Sequence, residues 1–548
     1  MGAQGFQHPA PTHGTGGPGR GTHRLPGVRA GGRAEERPGR REAGERRPHP
    51  GVDVERRARG GGVNDLEGLR VTVIGLAREG VALAEYLARH GAAVTASDLK
   101  GEAALREGLA RLRPWPIRFV LGGHPLDLLE TDLLFVSPGV PGDIPLLQEA
   151  RRRGVPLSTE TRLVCQRAPG LVVGITGSSG KTTTTALVGE MLAASGFRTW
   201  VGGNIGRPLV GHLDEMQPGD RIVMELSSFQ LEYFAPVEAA RGGEPALAAV
   251  CQPEGVSPPV AAVLNVTPNH LDRHPSMEAY VEAKRHIYRH QGAGGVVVLS
   301  AENPVTRQMA QELQGEGRRV ALFSAESVLE EPGAYLRPDG WIVLRTGEGD
   351  LPVCLAGEMR LLGGHNLRNV LAACAISAQA GAAPEAMARV IRTFPGVPHR
   401  LELVRERGGV RWYNDSIATT PERTSAALRA FDVPIVLLAG GRDKHLPWEE
   451  MAALCWQKVR ALILFGEAAP LIEGVVRKVA AEEPHLAARE MPIVRCTTLD
   501  EAVRRAAEVA QPGDVVLLSP GGTSFDAYRD YEERGAHFRA LVHALDEG

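Results

Sequence analysis

No two of the six cysteines are spaced as Cys-x-x-Cys. They stand scattered at Cys165, Cys251, Cys354, Cys374, Cys455 and Cys496, which argues against a zinc site or a disulfide framework and suits a reducing cytosol. No run approaches the ~18 consecutive apolar residues that a membrane helix needs. Aromatic residues are scarce, at 5%, beside 43% apolar and 23% charged residues. That is the balance of a soluble globular chain with an aliphatic core. Lysine is missing altogether from residues 1–64, which hold 16 glycines, 12 arginines and 7 prolines. So polar a segment buries too little surface to offset its ordering entropy, and it is expected to be disordered. It also lacks the apolar stretch of a signal peptide. Twelve arginines against six acids allow a basic arm for an acidic partner. The favoured reading is a segment without function: a linker, or sequence upstream of a true start at a valine such as Val63.

The 548 residues, at ~150 per domain, suggest three to four domains. The organised part begins at residue 65. "LRVTVIGL" reads as a buried strand, "EGVALAEYLARHG" as a helix closed by Gly91, and "AAVTASDLK" as the next strand. Strand, helix and strand within ~30 residues make a βαβ unit and a parallel sheet. The pattern restarts at "GLVVGITG" and again after "TFPGVPHR". The expected fold is therefore three successive α/β domains with mostly parallel sheets, at 65–158, 159–397 and 398–548. The first and last are Rossmann-like and the middle is of phosphate-loop type. The stretch "PVEAARGGEPALAAVCQPEGVSPP", rich in Pro, Gly and Ala, reads as a surface loop.

"GITGSSGKTTTT" lies between a strand and a helix. Glycines let backbone N–H groups converge on phosphate oxygens, a lysine neutralises charge, and a hydroxyl at the helix start helps hold Mg²⁺. Gly177, Gly180, Lys181 and Thr182 supply these, with the pattern G-x-x-G-x-x-G-K-T in place of the common G-x-x-x-x-G-K-[ST]. This loop resembles that of the ATP-dependent Mur ligases and their folylpolyglutamate synthetase relatives. "GGNIG", "ELSSFQLE", "LNVTPNHLDRH" and "GGHNLRNVLAA" carry the resemblance onward, and it spans about 65–548.

The resemblance implies that Gly177, Ser178, Ser179, Gly180, Lys181, Thr182 and Thr183 cradle ATP. It implies two Mg²⁺ ions, one beside Thr182 and Glu225, the other at His270. Lys284 would be carbamylated by CO₂, which turns a cation into a carboxylate-like metal ligand. That reaction needs a neutral amine and hence a depressed pKa. Lys181, His270 and Lys284 are then the catalytic set. Asn366 and Asn369, three apart on one helix face, would meet adenine, and Arg400 and Asp415 would face ATP from across the cleft.

The turn "GLAREG" near the start has Ala77 where a dinucleotide fingerprint wants its second glycine. In the resembling family this domain binds the uridine diphosphate of a sugar substrate, with Gly80 at the helix facing the diphosphate and Asp98 at the uracil. Asn204 in "GGNIG" joins the substrate residues. "VRWYNDSIATTPERTSAAL" and "LLSPGGTSFDAYRDYEERGAHF" resemble the D-glutamate-adding branch of the family. Thr419, Lys444, Ser524 and the N–H of Phe525 would take the two carboxylates of D-glutamate, as a charge with directional donors should. Many members have lysine where Ile417 stands.

The implied reaction is cytoplasmic and belongs to peptidoglycan precursor synthesis, and through it to cell shape and division. UDP-N-acetylmuramoyl-L-alanine is activated by ATP as an acyl phosphate, and D-glutamate then displaces phosphate. The third domain is expected to close over the cleft by turning on "TFPGVPH". A monomer without nucleic-acid or membrane partners is expected. The alternatives are another Mur-type or folylpolyglutamate ligase, an NAD(P)-dependent oxidoreductase using 70–98, and a phosphate-loop nucleic-acid motor. The last is disfavoured by an acidic folded part with no basic stripe.

Overall fold

The computed structural model describes residues 66–237, 245–269, 273–361, 363–483 and 490–546. The expectation for 1–64 lies outside them. The first sheet holds β1 (Arg70–Ile74), β2 (Ala93–Asp98), β3 (Arg118–Leu121), β4 (Leu133–Val136) and β5 (Leu157–Ser158). Its order is β3-β2-β1-β4-β5, all parallel. The second sheet comprises β6 (Leu171–Thr176), β7 (Thr199–Gly203), β8 (Arg221–Glu225), β9 (Val260–Val263), β10 (Val296–Ser300) and β11 (Arg319–Ser324). It continues with β12 (Gly333–Leu336), β13 (Trp341–Thr346) and β14 (Gly349–Leu355). The order is β14-β13-β12-β11-β10-β9-β6-β8-β7, antiparallel only along β12-β13-β14. The third sheet holds β15 (Glu402–Arg407), β16 (Val410–Asn414), β17 (Ile435–Gly440), β18 (Val459–Phe465), β19 (Ile493–Arg495) and β20 (Val515–Gly521). Its order is β15-β16-β20-β17-β18-β19, with β15 antiparallel.

Each sheet reverses its winding beside one strand: β1 between β2 and β4, β6 between β8 and β9, β20 between β16 and β17. Ligands of open α/β sheets bind at the carboxyl ends of strands at such points. The strands owe their positions to their composition: β6, "LVVGIT", is buried at all six residues, as a parallel strand covered on both faces must be. Helix Arg78–Arg89 buries Val81, Leu83, Ala84 and Leu87 and ends at His90, with Gly91 at φ +86°.

One apolar cluster runs from Val71 and Leu87 through Leu163, Leu209 and Leu213 to Ile222 and Met224. It therefore joins the first sheet to the second. The third sheet has its own clusters on its two faces, around Leu437 and around Trp412.

The surface loop expected from Pro236 onward is not one throughout. Pro245–Val250 is helical, and Leu247, Val250, Cys251 and Val256 are buried. The reason is Arg162, wholly buried on helix Glu160–Arg167, whose guanidinium donates to the carbonyls of Tyr233, Ala235 (2.7 Å) and Gln252 (2.5 Å). One side chain thus draws both ends of the excursion against the body.

Glu160, also buried, accepts the N–H of Val210 at 2.9 Å. Burial raises its carboxyl to about 7, against the lowering effect of the Val210 and Leu209 N–H groups. Ionisation is therefore resisted in the folded state, and between pH 4.5 and 7 the unfolded chain gives up this proton first. Stability from this site falls as pH rises through that window. Glu160→Gln, neutral and nearly isosteric, should match the parent near pH 4.5 and exceed it at pH 8 by on the order of 2–3 kcal/mol. Thermal midpoints of both proteins at the two pH values check this.

Candidate functional site

The turn after β6 is clasped by Asn265. The N–H of Ser178 donates to the Asn265 carbonyl (3.0 Å) and that of Ser179 to Asn265 Oδ1 (2.9 Å), while Asn265 Nδ2 donates to the Ser179 carbonyl (3.2 Å). Ser178 Oγ donates to the Thr267 carbonyl and lies 3.0 Å from Tyr280 Oη. Gly180 holds φ +80° as the residue before helix Lys181–Ala194, and a Cβ there would sit 2.3 Å from Asn369 Oδ1. Only glycine allows that approach. The first-turn N–H groups of this helix have no intrahelical acceptor and carry the positive end of its dipole. The loop is thus a preformed anion cradle.

Two lysines converge under it. Lys181 Nζ donates to the Gly177 carbonyl at 2.9 Å, and Lys284 Nζ donates to the same oxygen at 3.1 Å. Lys284, on helix Met277–Arg289, is 1% exposed and lies over the Tyr280 ring. Burial, then the Lys181 charge, pushes its ammonium well below the usual lysine range. Lys181 is also lowered, by burial and by Arg400 and Arg423, with Glu225 acting the other way.

Glu225 ends β8 and is 2% exposed. Asn204 Nδ2 donates to its Oε1 at 3.1 Å, while Oε2 is buried with no hydrogen-bond partner. An orphaned carboxylate oxygen beside a phosphate cradle fits a hard divalent cation. The second expected metal residue, His270, lies outside the described residues. Among the described residues no three His, Cys, Asp or Glu side chains form a metal-binding group. His274 of the same motif is buried against Ser228 and stacks on Phe229.

Two cavities open from this centre. One, of about 400 Å³, is lined by Ser179, Asn265, Glu302, Phe323, Arg368 and Asn369. Asn369 Nδ2 donates to Asn366 Oδ1 at 3.3 Å, and Arg368 bridges Glu302 and Glu326 at 2.7 Å each. The other, of about 480 Å³, lies at the ends of β1, β2 and β4 and is closed by Gly203–Gly206. Arg78, Glu79, Asp98, Lys100, His124 and Asn204 line it. Asp98 braces the turn, accepting the N–H of Leu76 (2.7 Å) and of Lys100 (2.8 Å). Gly80 is not on the wall: a Cβ there would lie 1.8 Å from the Gly75 carbonyl, so this glycine lets helix and turn touch. Asn204 thus connects this cavity to Glu225.

The third sheet brings its loops together at β16, β17 and β20. Lys444 Nζ lies 3.4 Å from Thr419 Oγ1. Arg442 and Thr523 exchange both backbone hydrogen bonds at 2.9 Å, which sets Ser524 beside the Lys444 loop. Ser524 is buried and Phe525 is 62% exposed. Asp415 directly follows β16. It is buried, accepting Ser519 Oγ (2.9 Å) and the N–H of Leu401 (3.2 Å), and burial raises it to about 7. It therefore braces the loop after β16 against β20. Arg400 lies near enough to act on both Lys181 and Asp415.

Family models match almost the whole described chain: the Mur ligase MurD-like N-terminal domain over 69–159, the Mur ligase middle domain over 175–377, and the Mur ligase glutamate ligase domain over 399–522. The chain belongs to the Mur ligase family. A UDP-N-acetylmuramoylalanine–D-glutamate ligase of Symbiobacterium thermophilum is 43% identical over 481 residues, 87% of this chain and 98% of that protein. One of Acetivibrio thermocellus is 39% identical over 482 residues, 88% and 97%. The fold is shared with the crystal structure of a UDP-N-acetylmuramate-alanine ligase from Thermotoga maritima, at TM-score 0.51 and 19% identity, over 87% of this chain and 99% of that one.

In this Mur ligase the expected residues Gly177–Thr183, Asn204, Glu225 and Lys284 share one centre, with Asn369 on its flank. Asn265 and Arg368 went unassigned, although both lie inside motifs noted in the sequence. Glu302 and Glu326 carried no signal, because strand ends far apart in sequence bring them together.

A depressed lysine makes stability rise with pH, since the unfolded chain keeps its proton up to about pH 10 and the folded one does not. Lys284→Met should therefore raise the thermal midpoint at pH 7, with the gain shrinking toward pH 10. Melting curves of the two proteins across that range check it.

Proposed function

We propose that this Mur ligase joins D-glutamate to UDP-N-acetylmuramoyl-L-alanine with ATP, as a cytoplasmic enzyme of peptidoglycan precursor synthesis. The observation that carries the reading is the charge balance at the phosphate loop. Lys181, the first residue of the helix after the loop, stands beside Glu225 and within electrostatic reach of Arg400, and one Glu225 oxygen has no partner. A helix N-terminus, two cations and an open carboxylate oxygen suit a triphosphate with its divalent cation. No helix of the described residues is long and apolar enough to cross a membrane.

In this reading the first-turn amides of helix Lys181–Ala194 and Lys181 hold the β- and γ-phosphates, and the cavity beside Asn369 and Phe323 takes the nucleoside. Thr182 and Glu225, with His270 and Lys284 at a second position, would hold Mg²⁺, which neutralises the phosphate oxygens. The neutral Lys284 amine is the form that adds to CO₂, and the carbamate so made is an anionic oxygen ligand. The cavity at Arg78, Asp98 and Lys100 takes the uridine diphosphate. Asn204 fixes the distance from that handle to Glu225, so the alanyl carboxylate lies against the γ-phosphate.

The carboxylate attacks the γ-phosphorus, the bridging P–O bond breaks, and ADP leaves. Lys181 and Arg400 stabilise the charge on the transferring group. Thr419, Lys444, Ser524 and the Phe525 N–H hold the two carboxylates of D-glutamate. Its amine then adds to the acyl phosphate, and the tetrahedral intermediate expels inorganic phosphate and loses a proton. The nicotinamide and nucleic-acid-motor readings fall with family membership.

Phosphate release with UDP-N-acetylmuramoyl-L-alanine and ATP should require D-glutamate and fail with L-glutamate or L-alanine. A response to L-alanine alone would overturn the reading. Lys181→Ala should lose roughly 10³-fold or more in rate with the melting curve unchanged. Lys284→Ala should lose comparably and recover on addition of acetate or formate, which supply the missing carboxylate.

A further inference from the structure

The third unit buries an arginine that no carboxylate answers. Arg534, on helix Tyr531–His543, is 0% exposed. Its Nε donates to Ser416 Oγ (3.0 Å) and its Nη2 to the Ser416 carbonyl (2.9 Å). Nη1 and Nη2 both donate to the Gly522 carbonyl at 3.2 Å. All three acceptors are neutral, and no ion pair to Arg534 exists among the described residues. Burial lowers the guanidinium to about 10, while Asp526 and Tyr528 act in the other direction. It still carries its charge at neutral pH.

A buried cation held only by carbonyls and a hydroxyl is costly as a source of stability. What it does achieve is register. Ser416 lies three residues before Thr419, and Gly522 two before Ser524. Gly441, at φ +93°, passes so close that a Cβ would lie 2.9 Å from Nη1, and it leads through the Arg442–Thr523 pairing to Lys444. One rigid fork therefore fixes the loops that follow β16, β17 and β20 at once. Its planar geometry is what a lysine in its place would lack. Ser416 Oγ passes the constraint on, donating to the Tyr531 carbonyl at 2.8 Å at the start of Arg534's own helix.

The geometry points to Arg534 as the positioning residue of the amino-acid site, setting Thr419, Lys444 and Ser524 to the spacing of a dicarboxylate and leaving its unneutralised charge to the bound anion. This rests on the assignment of that site to D-glutamate. Arg534 acts through those three residues and touches no reacting atom.

The test is steady-state kinetics of Arg534→Lys and of the milder Ser416→Ala, varying each substrate in turn. For Arg534→Lys the KM for D-glutamate should rise about 10-fold or more, with the KM for ATP and for UDP-N-acetylmuramoyl-L-alanine within about twofold of the parent. Ser416→Ala, which removes one of the three acceptors, should raise the same KM about threefold, also selectively. Should Arg534→Lys not fold, Ser416→Ala alone decides. Unchanged KM for D-glutamate, or three KM values moving together in step with lost thermal stability, would overturn the proposal in favour of a structural role. If the parent enzyme shows no dependence on D-glutamate, it is the functional assignment that fails.

Discussion

Two lysine side chains donate to one carbonyl oxygen, that of Gly177, and much of the centre follows from this. Two ammonium groups sharing a buried acceptor repel, and water is not there to screen them. The repulsion falls hardest on one of the pair. Lys284 is that one, because it is the more deeply enclosed and its other neighbours are Thr176 Oγ1 and a tyrosine ring, neither of which carries charge. Lys181 has Glu225 to support its charge. The same contact therefore sets two identical side chains apart, one supported as a cation and one pushed toward the neutral amine, by a difference in surroundings alone. Glu225 completes the set, since one of its oxygens is tied by Asn204 and the other is left open.

The signal for this arrangement was legible in sequence where it was local. Gly177, Gly180, Lys181 and Thr182 occupy one turn, and a strand ending in Glu225 or a turn containing Asp98 can be read from the period of the apolar residues beside it. What depends on strand order could not be read. Arg162 is one of many arginines in the chain, and only the fold brings Tyr233, Ala235 and Gln252 to it. Gly80, in the helix expected to face the diphosphate, has no room for a Cβ because helix and turn touch there. Asp415, expected to face ATP, is tied by Ser519 and by the Leu401 N–H. For Arg162 and Asp415 the residue type was informative and the partner was not, because Gln252 and Ser519 lie 90 and 104 residues away.

The join between the second and third units shows how the two halves of the site are held. His399 and Leu401 adopt positive φ, 63° and 41°, which costs a non-glycine residue about 1 kcal/mol or more each. Such strain persists only where the surroundings over-determine it. Glu402 accepts the His399 N–H at 2.8 Å and is gripped by Arg539, while Asn414 meets the imidazole at 3.0 Å and Asp415 accepts the Leu401 N–H. Gly535 leaves the room, since a Cβ there would lie 2.1 Å from His399 Nδ1.

Every one of those restraints belongs to the third unit. Arg400, between the two strained residues, is therefore part of that unit's rigid body although it acts on Lys181 in the second. Any rotation of the third unit must turn upstream, in the segment Phe394–Pro398, which follows the helix Pro384–Thr393. Arg400 would then travel with Thr419, Lys444 and Ser524 as one piece, and its approach to the phosphate loop would be coupled to theirs. The backbone strain is thus the means by which a cation that acts on the phosphate-loop lysine is carried on the unit that holds those three residues.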